Sequence, residues 1–183
     1  MKKWLKRIGV VLLSFALIIG AVVGYAYFIE PRLLVVVESD LTVPHFDPKL
    51  NGLKIVAISD IHAGSNYMPL ERLQRVVETA NEQNADLIVL LGDYVSETGG
   101  RNRNPAPGTD GTQIKIPVET IADNLQGLKA KYGAYAVIGN HDWYHNDAKI
   151  RREFERVGIN VIENEVREIP VGDTRVRLWG IED

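Results

Sequence analysis

Residues 8–29 carry no charged side chain, and Lys2, Lys3, Lys6 and Arg7 stand immediately before them. At about 1.5 Å per residue such a run reaches roughly 33 Å as a helix, against roughly 30 Å of bilayer hydrocarbon. Trp4 at one end and Tyr25 and Tyr27 at the other suit the two membrane interfaces. No polar face interrupts the run, which argues against a core helix of a soluble domain. Residues 1–29 are therefore read as a single-pass membrane anchor. The basic cluster precedes the span, while Glu30 and Arg32 balance after it. The positive-inside rule then puts the N-terminus in the cytoplasm and the rest of the chain outside it. A cleaved signal peptide is the alternative, with Gly24-Tyr25-Ala26 as a small-x-small site. The run is longer than the roughly 7–15 apolar residues usual for one.

Beyond the anchor the chain reads as a stem, residues 30–52, and a globular domain, residues 53–183. Pro31, Pro44 and Pro48 punctuate the stem, and residues 33–37 suit a strand. Apolar runs at 54–59, 86–91 and 134–138 suit buried parallel strands, with a fourth at 159–162. A helix is predicted from Pro69, with Leu70, Leu73, Val76, Val77 and Ala80 on one face. Val118, Ile121, Leu125 and Leu128 mark a second helix. Ile150, Phe154 and Val157 mark a third, stopped by Gly158. A polar loop spans residues 98–113, and Gly172-Asp173 reads as a hairpin turn between residues 166–171 and 174–181. Strand and helix alternate three times, so the class is α/β with a largely parallel sheet. Strands apolar on both faces need cover on both; the helices shield one, and the other is left for a second sheet.

Three successive predicted strands end in residues competent for metal binding or proton transfer. They run into Ser59-Asp60-Ile61-His62, Gly92-Asp93-Tyr94 and Gly139-Asn140-His141-Asp142. Ligands of open α/β sheets bind beyond such strand ends, so Asp60, His62, Asp93, Asn140 and His141 converge if the strands are neighbours. Asp60 and His62 are two apart, and an extended backbone sends both side chains to the same side. Asp93 offers two oxygens and is able to bridge two ions. The Asn140 amide is a neutral ligand that limits negative charge. Gly92 and Gly139 permit close backbone approach. His141 follows a ligand, where a proton donor to a leaving oxygen belongs. Each residue alone has a bland reading, as a turn, a cap or a hydrogen-bonded core group; the coincidence of three strand ends is what argues for a site. His145 reads as a solvent-exposed turn residue, and Trp143 and Tyr144 as either substrate platform or core. Arg101 and Arg103 read as solvated loop charges, and His45 is assigned nothing. With no cysteine, any metal sits on oxygen and nitrogen donors. With 25% charged residues and a net charge of −3, nucleic-acid binding is not expected.

These three motifs, in this order and with one helix between each pair, resemble those of calcineurin-like metallophosphoesterases, over residues 53–183. The residues before the first motif, Leu53-Lys54-Ile55-Val56, and Trp143-Tyr144 after the third look most like bacterial membrane-associated members. The resemblance implies an αββα sandwich, of which this chain carries the first sheet and its helices. It also implies two divalent ions (Mn, Fe or Zn), with Asp60 and His62 holding the first, Asp93 bridging and Asn140 holding the second. A hydroxide bridging the ions would attack phosphorus, His141 would protonate the leaving group and Asp142 would orient His141. The implied substrates are phosphate esters: phosphodiester, nucleotide or lipid-linked phosphate. The family takes further histidines from a later half, including a Gly-His-x-His motif. After His145 this sequence has no histidine and ends at Gly180-Ile181-Glu182-Asp183, so a truncated or fragmentary site is expected.

Two other readings stand beside the enzyme. One is a non-catalytic membrane protein that keeps half of a phosphoesterase fold, which a metal titration separates. The other, a nucleotide-binding α/β domain, lacks a glycine-rich phosphate loop after the first strand.

Overall fold

A computed structural model describes residues 2–101 and 111–181. The chain divides into two units, residues 1–41 and 42–183.

In the first unit, helix α1 runs from Lys2 to Phe28. A single 3₁₀ turn, Glu30–Arg32, follows, with Pro31 in its first positions. The predicted strand at 33–37 is not formed: these residues are irregular and Leu33, Leu34, Val35, Val36 and Val37 are exposed. β-branched residues favour a strand only where a ladder and a packing surface exist, and here the segment has neither among the described residues.

The second unit is built on a four-stranded parallel sheet: β1 (Ile55–Ile58), β2 (Leu87–Leu90), β5 (Ala134–Ala136) and β6 (Asn160–Val161), in that spatial order. Register is fixed by pairs such as Ile58 with Leu90, Leu90 with Ala136, and Ala136 with Val161. Helices α2 (Leu70–Glu82), α3 (Val118–Leu125) and α4 (Asn140–Arg156) join the strands. α2 starts behind Pro69, whose fixed φ suits a helix entry. It buries Leu73, Val77 and Ala80, an i, i+4, i+7 stripe. Full burial of a side chain such as Leu73 contributes about 1.5–3 kcal/mol.

Alternation along the strands divides the core in two. Ile88, Leu90, Ala134, Ala136 and Val161 pack with the helices. Leu87 and Tyr135, on the opposite face, pack with Leu50, Ile162, Ile169 and Val176. Ile169 and Val176 belong to a hairpin of β7 (Glu165–Val171) and β8 (Thr174–Gly180), turned at Gly172-Asp173 as expected. The face left for a second sheet is therefore covered in part by this hairpin. Ile55 and Leu91 stay about half exposed, and β1 is an edge strand rather than a buried one. The Thr174 hydroxyl donates to the Asp47 carboxylate, 2.5 Å, tying the hairpin to the segment before the sheet.

The polar loop also differs from expectation. Its ends form a two-stranded antiparallel ladder of β3 (Glu97–Arg101) and β4 (Thr112–Ile114), pairing Glu97 with Ile114. The Arg101 side chain and all of Arg103 lie outside the described residues, as do Glu182 and Asp183.

Candidate metal centre

β1 does not continue as extended chain into its motif. Asp60 and His62 both adopt left-handed backbone, φ 52° and 42°, with Ile61 buried between them. The expected extended geometry is thus replaced by two residues turned out of the strand while the residue between them anchors in the core. Asp93, directly after β2 and Gly92, is left-handed too, φ 58°. Such backbone costs an L-residue of the order of 1–2 kcal/mol, least for Asp and Asn. Backbone bonds enforce it: Asp60 N–H donates to Gly92 O (3.2 Å), His62 N–H to Asp93 O (2.9 Å) and Ala63 N–H to Tyr94 O (2.9 Å). The first two motifs are laced side by side.

Donor atoms of Asp60, His62 and Asp93 consequently lie within 4.8 Å of one another. The Asp60 Oδ1 to His62 Nε2 distance is 3.9 Å. His62 Nδ1 donates to Val95 O at 3.1 Å, which leaves Nε2 as the nitrogen with a lone pair available to a metal. Ser59 Oγ donates to Asp60 Oδ2. Two carboxylates and an imidazole on one rim form a borderline oxygen and nitrogen donor set, which suits Mn, Fe or Zn.

The third motif is not an extension of β5 but the first turn of α4. Asn140 is its first residue and is exposed; Gly139 is the N-cap. A Cβ on Gly139 would stand 2.5 Å from the Asp93 nitrogen, so only glycine lets α4 start against Asp93. His141 N–H donates to Asp93 Oδ1, 3.0 Å. The His141 ring stands edge-on to that of His62, centroids 5.1 Å apart. α4 is broken at Asn146, whose extended backbone and side chain recap the helix through Lys149 N–H, 2.9 Å.

Asp142 is fully buried and holds the motifs together. Its Oδ2 accepts from the N–H of Asp93 (2.8 Å) and Gly139 (3.1 Å), and its Oδ1 from those of Tyr94 (2.8 Å) and Val95 (3.2 Å). Burial pushes its carboxyl up to about 6; the amide bonds act the other way, and the Asp93 charge adds to the rise.

Two residues that the sequence did not single out also belong here. Tyr94 is buried with its hydroxyl 2.7 Å from Val137 O, and it accepts from Gly92 N–H at 3.2 Å; burial raises its pKa. Glu97, at the start of β3, places Oε1 3.2 Å from His141 Nδ1. Its position four residues after Asp93 was the available signal. Trp143 and Tyr144 are exposed and stand edge to face, centroids 5.7 Å apart, so they are not core residues. His145 is half-buried within α4, and His45 is exposed.

A parallel α/β sheet whose neighbouring strand ends gather carboxylates and histidines places a candidate metal site where such folds bind their ligands. A family model for calcineurin-like phosphoesterases matches residues 53–178, and the chain belongs to that family.

Among its relatives, a transmembrane protein with metallophosphoesterase domain from Danio rerio is 32% identical over 81% of this chain and 31% of its own length. An uncharacterised metallophosphoesterase of Bacillus subtilis (strain 168) is 28% identical over 100% of this chain and 59% of its own. A UDP-2,3-diacylglucosamine pyrophosphatase of Chlamydia trachomatis is 29% identical over 65% and 31%. The chain spans less than two thirds of the length of each. No solved structure matches it.

Proposed function

We propose that the chain carries the metal-binding motifs of a membrane-anchored phosphoric-ester hydrolase. The carrying observation is the convergence of Asp60, His62 and Asp93 donor atoms within 4.8 Å, beside His141. Asp60 and His62 would hold one divalent ion, Asp93 would be shared, and Asn140 would serve a second. When bound, such ions stabilise charge on phosphoryl oxygens and make water a nucleophile at neutral pH. The chain's own residues do the rest. Gly92 and Gly139 bring the second and third motifs into contact. Asp142 fixes four backbone amides around them. His141, adjacent to the donor set, supplies a proton to the leaving oxygen.

A lipid-linked phosphate is the proposed substrate class. Its supports are the apolar N-terminal helix, the exposed Trp143 and Tyr144 two and three residues past His141, and a relative named for a diacylated nucleotide sugar. The domain is proposed to face away from the cytoplasm.

The test is a Mn²⁺ titration of the full chain in detergent micelles, followed by assay on a nucleoside-diphosphate-linked lipid and on its soluble, deacylated counterpart. Metal uptake with faster turnover of the lipid form is expected. A chain that takes up no Mn²⁺, Fe²⁺ or Zn²⁺ would be the non-catalytic half-fold instead.

A further inference from the structure

The sequence resemblance implies that Asp142 orients His141. The geometry points elsewhere: we propose that Glu97 is the positioning residue of the His141 ring, holding Nδ1 so that Nε2 faces substrate. This rests on the reading of His141 as proton donor.

The argument begins with Asp142. A carboxylate has about four lone-pair sites. All four are taken by the amides of Asp93, Gly139, Tyr94 and Val95. No acceptor site is left for an imidazole, and the group is buried against the backbone of the second motif. Its function is to lock the two motifs together.

Glu97 is differently placed. Its Oε1 lies 3.2 Å from His141 Nδ1, and both side chains are partly exposed, as groups on the rim of a site would be. Glu97 is held by the β3–β4 ladder opposite Ile114, so the acceptor sits on a paired strand. His141 is fixed at three points: its N–H on Asp93 Oδ1, its ring edge against His62, and Nδ1 on Glu97. The main-chain bond sets where the residue starts, and the carboxylate sets which ring nitrogen carries hydrogen inward. In turnover the Nδ1–H stays on Glu97. As the P–O bond breaks, its electron pair passes to the leaving oxygen, which takes the Nε2 proton. The imidazole is left neutral with its Nδ1–H still on the carboxylate.

Two readouts test this on the full chain in detergent. The first is the ¹⁵N spectrum of histidine-labelled protein, with His141 assigned by His141→Gln. The native ring should show the Nδ1–H tautomer when neutral, and Glu97→Ala should move it toward the Nε2–H form. The second is turnover, with Mn²⁺, of phenyl and p-nitrophenyl phosphodiesters. Glu97→Ala should slow the phenyl ester, the poorer leaving group, roughly tenfold more than the p-nitrophenyl ester, with metal content unchanged. Glu97→Gln, which keeps an acceptor oxygen, should recover most of that loss. A ring tautomer unchanged in Glu97→Ala overturns the proposal. If the tautomer shifts but both esters slow equally, Glu97 still positions the ring, and the proton-donor reading of His141 is what fails.

Discussion

Asp93 is tied to both of the other motifs. Its backbone N–H is held by Asp142, its carbonyl accepts from His62, and its Oδ1 accepts from His141. If its carboxylate is shared between two ions, Asp93→Ala should remove nearly all bound metal, and His62→Ala should spare one ion. Elemental analysis of the purified variants measures this, and equal loss in the two would show that Asp93 does not bridge. Its φ of 58° adds a separate expectation. Alanine at a left-handed position is strained and glycine is not. Without metal, Asp93→Gly should be more stable than Asp93→Ala by about 1 kcal/mol, read from thermal unfolding. The clustering of Asp60, His62 and Asp93 was legible in the sequence because Asp, His and Gly recur in tight patterns at apolar strand ends. Their backbone was not: the i, i+2 spacing of Asp60 and His62 suggested an extended segment, while the structure uses two left-handed residues around buried Ile61. Glu97 was missed for another reason. It meets His141 across 44 residues of sequence, through a ladder whose strands, Glu97–Arg101 and Thr112–Ile114, are rich in glycine and polar residues. No periodicity marks such a contact.

The junction between the end of β2 and the start of α4 is where elements become a site. Asp142 sits in the first turn of α4, yet three of its four hydrogen bonds leave that helix for Asp93, Tyr94 and Val95. Asparagine there would keep one acceptor oxygen and aim an NH₂ group at amide donors. At least two buried N–H groups would then lose a partner, at about 1–3 kcal/mol each. Removing a charge disfavoured by burial offsets part of that. Asp142→Asn should therefore unfold with a stability lower by about 2–4 kcal/mol in urea titrations, and bind metal more weakly because Gly139 and Asp93 are no longer drawn together. Unchanged stability would show that the four bonds are not a structural lock. The central parallel strands β2 and β5 were legible because both their faces are covered, so they read as short apolar runs. The start of α4 was read too late: its helical stripe of Ile150 and Phe154 is C-terminal to the break at Asn146, and the preceding turn, Asn140 to His145, is too polar to show one. The strand expected at 33–37 failed in the opposite sense, as an apolar run with the right propensity that joins no strand ladder among the described residues.

The apolar helix points to membrane association at the scale of the whole molecule. α1 has 27 residues, and its most apolar 18-residue stretch has a mean hydropathy of 2.5 with no residue of that stretch buried. An isolated helix with apolar residues exposed all round is stable in lipid rather than in water, since every backbone group is bonded internally. Length and composition alone carry that conclusion, which is why it was the most legible feature of the sequence. Orientation rests on a different quantity. Lys2, Lys3, Lys6 and Arg7 precede the span, and Arg32 is balanced in charge by Glu30 just after it. Retaining four positive charges on the cytoplasmic side is favoured over translocating them. The chain contains no cysteine, so one introduced thiol reports its own side of the membrane without background. Asp173 lies exposed in the β7–β8 turn, where Asp173→Cys disturbs no ladder pair. In cells whose cytoplasmic membrane is intact, a membrane-impermeant maleimide should label Asp173→Cys to the same extent as in lysed cells. The labelled protein should stay with the membrane fraction through a high-salt wash that strips electrostatically bound proteins. Labelling only after lysis would reverse the orientation proposed here and place the metal centre in the cytoplasm. Labelled protein released into the soluble fraction would instead show that the apolar segment is removed as a signal peptide.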